Sequence, residues 1–361
     1  MRLIEMDNSN KSVSKPIPID SLTGLKVIAV LAVYYWHGSC PKLPMDMGAR
    51  ACETLFLISG FLVGYNYLDS GMPANLKQSF KYVFGKLKKY WPLHIITLFW
   101  AGLISDKYGL NPDTFIKAII NCFLFQSWSS SSDIFFSFNG VSWFFSSLLF
   151  CYFLSPFLIK ITQRIKWHIP AFFIAFSARH LFEYAIDKSI VTNVSVHVFP
   201  PIRCLEFFLG MLLVPIFNKL SEIIKNRDCF FSLSLLEIFV VVYSVYIKII
   251  FNGHWMRSQF VLISSFLVFV VALNKGIISK TLSLKPFLLF SKIQFEFYML
   301  HQVVIKTIFS VLQFKVGQFA LNSITITAII ILSITYHYML NKVLNRKKQK
   351  DLLISSPSDK P

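Results

Sequence analysis

The sequence has few charged residues and very few acidic ones. Only 15% of its 361 residues are charged, with 18 acidic against 36 basic, whereas an ordinary soluble domain has about 25% charged residues. Its six cysteines are scattered without a Cys-x-x-Cys pair, so we expect neither a disulfide framework nor a metal site. The N-terminal segment MRLIEMDNSNKSVSKPIPID also lacks the apolar core of a cleavable signal peptide.

Hydrophobic residues are what the sequence has in excess. They make up 55% of the chain, including 38 phenylalanines, and apolar runs of 18 residues or more recur, as is typical of a polytopic helical membrane protein. The net charge of +18 does not indicate a nucleic-acid partner, because the basic residues are distributed among alternate loops rather than gathered on one patch. The expected surroundings are the lipid bilayer.

Hydropathy predicts an all-α transmembrane bundle of about ten spans. These lie at residues 23–40, 51–68, 90–106, 140–160, 167–186, 200–217, 230–250, 257–274, 290–312 and 317–341. Residues 113–128 form a shorter apolar stretch, which we expect to be interfacial or re-entrant. One membrane domain, 23–341, is thus predicted between an N-terminal tail, 1–22, and a basic C-terminal tail, 342–361.

The basic residues also predict how the chain is oriented. If the N-terminus is cytoplasmic, lysines and arginines concentrate in the segments that then lie inside, as the positive-inside rule requires. These segments are 77–89, 160–166, 219–227, 275–285 and 342–350. We therefore predict that both termini are cytoplasmic and that the protein resides in the cell (inner) membrane.

The first two predicted spans carry three ionisable residues at related positions. Lys26 and His37 are eleven residues apart, which in an α-helix is about 1100° and about 16 Å, so both lie on one face. Glu53 returns to the depth of His37 if the chain turns near residue 45. Ionisable groups inside a bilayer indicate a functional site. We expect Lys26 and His37 to face a common cavity that reaches the cytosol, with Glu53 orienting the imidazole.

These spans resemble the opening signature of the acyltransferase 3 family of integral membrane acyltransferases. In TGLKVIAVLAVYYWHGS, ten positions separate a basic residue from a histidine, and ETLFLISGFLVGYNY then supplies an acidic residue and Ser-Gly-Phe. Further family-like segments follow in the same order: KKYWPLHIITL, NGVSWFFSSLLFCYFLSPFLI, RCLEFFLGMLL and FEFYMLHQVVI. The chain departs from the pattern at Lys26, where arginine is usual, and in WFFSSLL, where many members carry Glu after Trp-x-x-Ser.

The resemblance implies transfer of an acyl group, most often acetyl from acetyl-CoA, to a hydroxyl of a cell-envelope glycan. Lipopolysaccharide O-antigen, capsule, exopolysaccharide, a lipid-linked saccharide and a small secondary metabolite are all open as acceptors. Acyl-CoA would be a donor substrate, and no permanently bound cofactor is expected. His37 suits a general base or a transient acyl carrier, and Lys26 would lie near the thioester or the coenzyme A phosphates. Candidate donor-binding residues at the inner mouth of the third span are Lys86, Lys88, Lys89 and Tyr90, although topology alone would also place lysines there.

Four residues are candidates for acceptor binding: Trp143, Arg203, Glu206 and His301. Trp143 either stacks on a ring or packs in the core. Arg203 and Glu206 are neighbours on a helix face and either line an entrance or satisfy one another. His301 belongs to the family-like segment, and it lies about 140° around the helix from Glu296, so those two side chains should not share a site.

Two other patterns have structural explanations. Arg179 and Glu183, four residues apart, predict an ion pair within one helix. Ser59-Gly60 does not match a nucleophile elbow, and it favours close helix approach instead.

The main alternative function is a secondary transporter or glycan flippase. Such a protein should show two halves with matching broken helices, and the sequence shows no convincing internal repeat. The ionisable residues instead concentrate in the first two spans.

Overall fold

The computed structural model describes residues 17–38, 47–105, 109, 111–192, 194–250, 254–312 and 314–355. Within these ranges all regular structure is helical. The helices are α1 Asp20–His37, α2 Met47–Tyr67, α3 Leu76–Leu103, α4 Pro112–Cys122, α5 Ser132–Phe135, α6 Trp143–Arg164, α7 His168–Asp187, α8 Pro200–Ile224, α9 Phe230–Ile250, α10 His254–Ala272, α11 Ile277–Leu282, α12 Lys285–Ser291, α13 Gln294–Leu312 and α14 Gln318–Ser355. Short 3-10 turns lie at Gln126–Trp128 and Gly140–Ser142.

Ten of these helices occupy the positions of the ten predicted spans. They are α1, α2, α3, α6, α7, α8, α9, α10, α13 and α14. In the described part of the chain, six stretches are long and apolar enough to cross a membrane, and they belong to α2, α6, α8, α9, α13 and α14. The fold is therefore an all-helical membrane bundle, while the full number of crossings and the side of each terminus stay predictions.

Two helices extend well beyond their predicted spans. The predicted third span starts at residue 90, but α3 begins at Leu76, where the Oδ1 of Asn75 accepts the backbone N–H of Gln78 at 2.9 Å and caps the helix. At the C-terminal end, α14 continues through the basic segment to Ser355. Hydropathy located only the apolar part of each helix, because the adjoining basic turns are helical without being hydrophobic.

The short stretch predicted at 113–128 forms α4 and the 3-10 turn that follows it. The eleven residues of α4 are only about 16 Å long, about half the thickness of the hydrocarbon core. Lys117 binds Asp113 of its own helix at 2.7 Å and also pairs with Asp133 of α5. These ion pairs hold the two short helices together beside the bundle.

Helix α2 lies at the centre of the bundle and packs closely against α8. A Cβ atom at Gly60 would collide with the backbone carbonyl of Phe207, and one at Gly210 would collide with the carbonyl of Leu57. Both positions therefore need glycine for the two backbones to approach. The prediction that the Ser59-Gly60 step permits close helix approach is confirmed.

The apolar interior is divided into a main core and a smaller cluster. The smaller cluster consists of Val240 and Ile247 of α9 with Ile263 of α10, and Leu236 and Leu267 pack against it. The main core joins α1, α2, α8 and the helices around them. Leu267 of α10 packs against both clusters, so they meet at that helix.

Candidate active site

His37 is the last residue of α1, and the backbone around it determines which ring nitrogen carries hydrogen. Its Nδ1 lies 2.9 Å from the carbonyl oxygen of Val33 and 3.2 Å from Nε2 of His301. A carbonyl oxygen can only accept, so Nδ1 of His37 is the protonated nitrogen. In the neutral ring, Nε2 then keeps its lone pair.

His301 lies behind His37 on α13 and is fully buried. Its Nδ1 donates to the carbonyl oxygen of Tyr298 at 2.6 Å, which leaves its Nε2 as an acceptor for the Nδ1–H of His37. The two ring centres are 5.1 Å apart. The Nδ1–H of His37 thus has two acceptors, the carbonyl oxygen of Val33 and the imidazole of His301.

Glu53 shares the surroundings of His37, but its partner is an arginine. Both carboxylate oxygens approach Nη1 of Arg50, at 2.6 and 2.7 Å, and Glu53 is only 2% exposed. The expectation that Glu53 orients His37 is thus not what the geometry shows. A buried carboxylate is stabilised far better by a guanidinium three residues away on its own helix than by a neutral imidazole.

Glu53 also belongs to a buried ion network that joins α2, α7 and α8. Arg179 of α7 pairs with Glu183 on its own helix and with Glu206 of α8 at 2.9 Å. Arg203 pairs with Glu206 at 2.7 Å. Glu53 lies 3.9 Å from Arg179 and 4.0 Å from Arg203. The predicted ion pair between Arg179 and Glu183 is present, and Arg203 and Glu206, for which pairing was one of two alternatives, also pair. Arg179 joins the two pairs across helices by its contact with Glu206.

A polar cavity of about 460 Å³ opens beside His37; we call it the outer cavity. Two of the predicted acceptor residues, Trp143 and Arg203, line it, and the rings of Trp143 and His197 lie 4.6 Å apart. The other two, Glu206 and His301, lie behind its wall and hold lining residues in place. The cavity lining is completed by Val33, Trp36, His37, Gly48, Ala49, Arg50, Cys52, Glu53, Phe136, Val196 and Tyr298.

A second cavity, of about 280 Å³, lies around Lys26; we call it the inner cavity. Lys89 and Tyr90 of α3 line it together with Lys292 and Glu296. Glu296 accepts a 2.9 Å hydrogen bond from His337 of α14, so it serves a different contact from His301, as expected.

The two remaining candidates for donor binding lie outside this cavity. Lys86 places its ammonium over the rings of Tyr82 and Tyr152, at 5.1 and 4.9 Å. Lys88 is exposed at the surface of α3. Of the four residues predicted from the third span, Lys89 and Tyr90 are the two that line the inner cavity.

Tyr298 lines both cavities and stands between them. Its hydroxyl donates to the carbonyl oxygen of Val141 at 3.2 Å. Lys26 and His37 both face the protein interior, but they line two different cavities. The expectation of one common cavity is therefore wrong. Helical spacing places two side chains on one face, whereas a bulky residue of another helix can divide the space in front of them.

Three lining residues were not among the predicted site residues. Tyr298 could be found only as part of the Tyr-x-x-His segment, and His197 lies in an irregular stretch before α8. Arg50 did have a local signal, because its spacing of three from Glu53 predicts the pair that forms.

A family model described as an acyltransferase domain matches residues 19–338. This range includes every described helix from α1 to α13 and most of α14. No curated protein and no solved structure matches the chain.

Proposed function

Because this chain belongs to the acyltransferase 3 family of membrane acyltransferases, we propose that it moves an acyl group, most simply acetyl, from a coenzyme A thioester to a hydroxyl of a cell-envelope glycan. One observation carries the proposal. A histidine with a defined basic nitrogen lines a polar cavity, and one tyrosine separates that cavity from a second one lined by lysines.

The inner cavity has the charge that an acyl-CoA donor needs. Lys26, Lys89 and Lys292 line it, and its single acidic lining residue, Glu296, is already bound to His337. Lysine ammonium groups bind phosphates as point charges. Phosphates held there would leave the extended pantetheine arm to cover the distance of about 16 Å along α1 and bring the thioester past Tyr298 to His37.

The outer cavity has the chemistry that a sugar acceptor needs. The faces of Trp143 and His197 offer aromatic surface for a pyranose ring, and Arg203 and Glu53 offer a donor and an acceptor for its hydroxyls. Pockets of this kind combine apolar walls with a few placed polar groups.

His37 would act as the base when the hydroxyl attacks. Its Nε2 takes the hydroxyl proton while the oxygen forms a bond to the thioester carbonyl carbon. The carbon–sulfur bond then breaks, and the departing sulfur receives the proton from the imidazolium, so that ester and free coenzyme A are formed. The guanidinium groups of Arg50 and Arg203, which also line the cavity, would stabilise the negative charge on the carbonyl oxygen.

In the alternative route, His37 carries the acyl group itself. Nε2 would attack the thioester, release coenzyme A, and pass the acyl group to the hydroxyl in a second step. Both routes need the same nitrogen and the same Nδ1–H contact to Val33.

The proposal is tested with purified full-length protein and labelled acetyl-CoA. His37→Ala should abolish acyl transfer, because the variant lacks the Nε2 that would act as the base or carry the acyl group. His168→Ala is the matched control, since His168 lies at the start of α7 and bonds the carbonyl of Thr162. Mass spectrometry of envelope glycan from wild-type and deletion cells should show an acetyl increment only in the wild type. Transfer retained in His37→Ala removes His37 from the chemistry, and glycan movement without thioester consumption would identify a transporter.

A further inference from the structure

A narrow apolar groove adjoins the outer cavity. It has a volume of about 220 Å³ and lies between α1, α2, α9 and α10. Ile28 and Ala32 form one wall, and Val241, Ser244 and Leu267 form the other. Because these walls are mostly apolar, a hydrocarbon chain is the occupant that the surface of the groove favours.

The hydroxyl groups along the groove are already satisfied. Ser244 donates to the carbonyl oxygen of Val240 at 2.7 Å, and Thr54 donates to that of Arg50 at 3.0 Å. Ser264 lies 3.2 Å from the Thr54 hydroxyl. The groove therefore presents an apolar surface along its length.

Among the described residues that line the groove, Arg50 provides the one charged group, and it also lines the outer cavity. Its Nη1 is engaged by Glu53, but its Nε has no hydrogen-bond partner among the described residues, although Arg50 is only 6% exposed. A buried guanidinium N–H without a partner is costly. A phosphate oxygen would satisfy it, and arginine is well suited to phosphate.

The groove and the cavity together have the polarity of an amphiphile, with a charged group at one end of an apolar surface. Arg50 lies in the first turn of α2, beside the end of α1 that carries His37, and the α1 wall runs back from Ala32 to Leu25, about 10 Å along the helix. The charged group is thus at one end and the apolar walls extend toward the middle of the bundle.

We propose that the acceptor is a lipid-linked saccharide, whose phosphate binds Arg50 and whose single hydrocarbon chain lies in this groove. The inference rests on the proposed function, because it places the saccharide in the outer cavity beside His37. The volume is below the roughly 300–1,000 Å³ of pockets for drug-sized ligands, which fits one chain better than the two chains of a phospholipid.

The test uses the full-length protein in lipid nanodiscs and two photoactivatable probes. One is a C15 prenyl phosphate with a terminal diazirine, and the other is phosphatidylglycerol with a diazirine in one acyl chain. Mass spectrometry identifies the labelled peptides. The prenyl phosphate should label α9 and α10 at the groove at least fivefold more than phosphatidylglycerol does.

Variants then assign the labelling to the groove. Ser244→Trp and Val241→Trp should each lower prenyl phosphate labelling at least fivefold by filling the groove, and Arg50→Gln should lower it by removing the phosphate contact. Val241 is on the exposed side of α9, so its variant remains informative if Ser244→Trp fails to fold.

A second apolar groove provides the matched control. It lies between α7, α8 and α10, has a volume of about 440 Å³, and is lined by Ile216 and the exposed Lys219. Ile216→Trp should leave labelling at the first groove unchanged.

Equal labelling by both probes would overturn the proposal, and so would prenyl phosphate labelling that is the same in the groove variants as in the wild type. Either result would leave ordinary bilayer lipid as the occupant. Labelling needs no acyl transfer, so its failure is distinguished from failure of the acyltransferase function, which the labelled acetyl-CoA assay reports.

Discussion

At the scale of single residues, two imidazole rings in direct contact limit how many protons the candidate site can hold. His37 and His301 are joined through Nδ1 and Nε2 at 3.2 Å, and two imidazolium charges that close would repel strongly. The pair therefore carries at most one positive charge at a time, and the second ring serves to accept the Nδ1–H of the first.

This contact makes His301 a positioning residue for His37. His301→Ala should lower kcat by about 10–100-fold, the range found when a supporting hydrogen-bond partner is lost. His301→Gln keeps an acceptor oxygen and should recover part of that loss, while KM for acetyl-CoA stays unchanged in both variants. The pH–rate profile of kcat should also differ between wild type and His301→Ala, which a purely structural defect would not produce.

The control for this prediction is His94→Ala, which removes another buried histidine. His94 lies on α3 and bonds the carbonyl oxygen of Asn121 at 2.8 Å, away from both cavities. If His301→Gln behaves like His301→Ala and only the amount of folded protein changes, His301 is a packing residue.

The residues that the sequence could and could not assign differ in one physical respect. Spacing along α1 and α2 predicted a shared depth for His37 and Glu53, and both residues line the outer cavity. It could not show which way Glu53 turns, because depth in a hairpin does not determine the rotation of a helix about its axis. The Arg50 pair was accessible from local spacing, whereas His301 as a partner depends on a contact across 264 positions of sequence.

At the scale of helices, the contact between α2 and α8 depends on the absence of a side chain at two positions. The carbonyl of Phe207 occupies the space that a Cβ of residue 60 would need. Backbone atoms cannot rotate away as a flexible side chain would, so any substitution must move the two helices apart.

Gly60→Ala should therefore destabilise the bundle, by about 1–3 kcal/mol or more, as overpacking in a close-packed interior does. The measurement is the thermal unfolding midpoint of the purified protein in detergent. Gly85→Ala in α3 is the matched control, because nothing lies within 4 Å of a Cβ there. That change should leave stability unchanged or raise it by about 0.5–1 kcal/mol, since alanine is the better helix former. Equal midpoints for the two variants would contradict the close approach of α2 and α8.

Helix positions were the part of the fold most accessible from sequence. Apolar runs located the ten long helices, because the bilayer imposes a length and a hydrophobicity on each segment. The start of α3 and the end of α14 were not accessible in that way, since both consist of basic turns that are helical without being hydrophobic. At the start of α3 a side-chain cap supports the helix, which hydropathy does not register.

At the scale of the whole molecule, the two cavities give the transfer a direction. If the N-terminus is cytoplasmic, the inner cavity around Lys26 faces the side where coenzyme A is found, and the outer cavity around His37 lies toward the opposite face. An acyl group would then move about 16 Å along α1 inside the protein, about half the thickness of the hydrocarbon core, and pass Tyr298.

That arrangement predicts which positions are accessible from each side. In a cysteine-free background, Asn226→Cys between α8 and α9 should react with a membrane-impermeant maleimide only after cells are permeabilised. Ser132→Cys at the start of α5 should react in intact cells. Both positions are exposed, so a difference in their reactivity reports the side of the membrane on which each one lies. The reverse pattern would invert the assigned orientation.

The buried ion network has a consequence for how the chain is made. Each helix that contributes to it carries one arginine and one glutamate within a single turn: Arg50 and Glu53, Arg179 and Glu183, Arg203 and Glu206. A helix emerging from the ribosome can thus neutralise itself before its neighbours exist, which lowers the cost of inserting it into lipid. Contacts between the pairs can form only after all three helices have inserted, so the helices can enter the membrane one at a time. The same charged residues then stabilise the packing of the three helices in the folded protein.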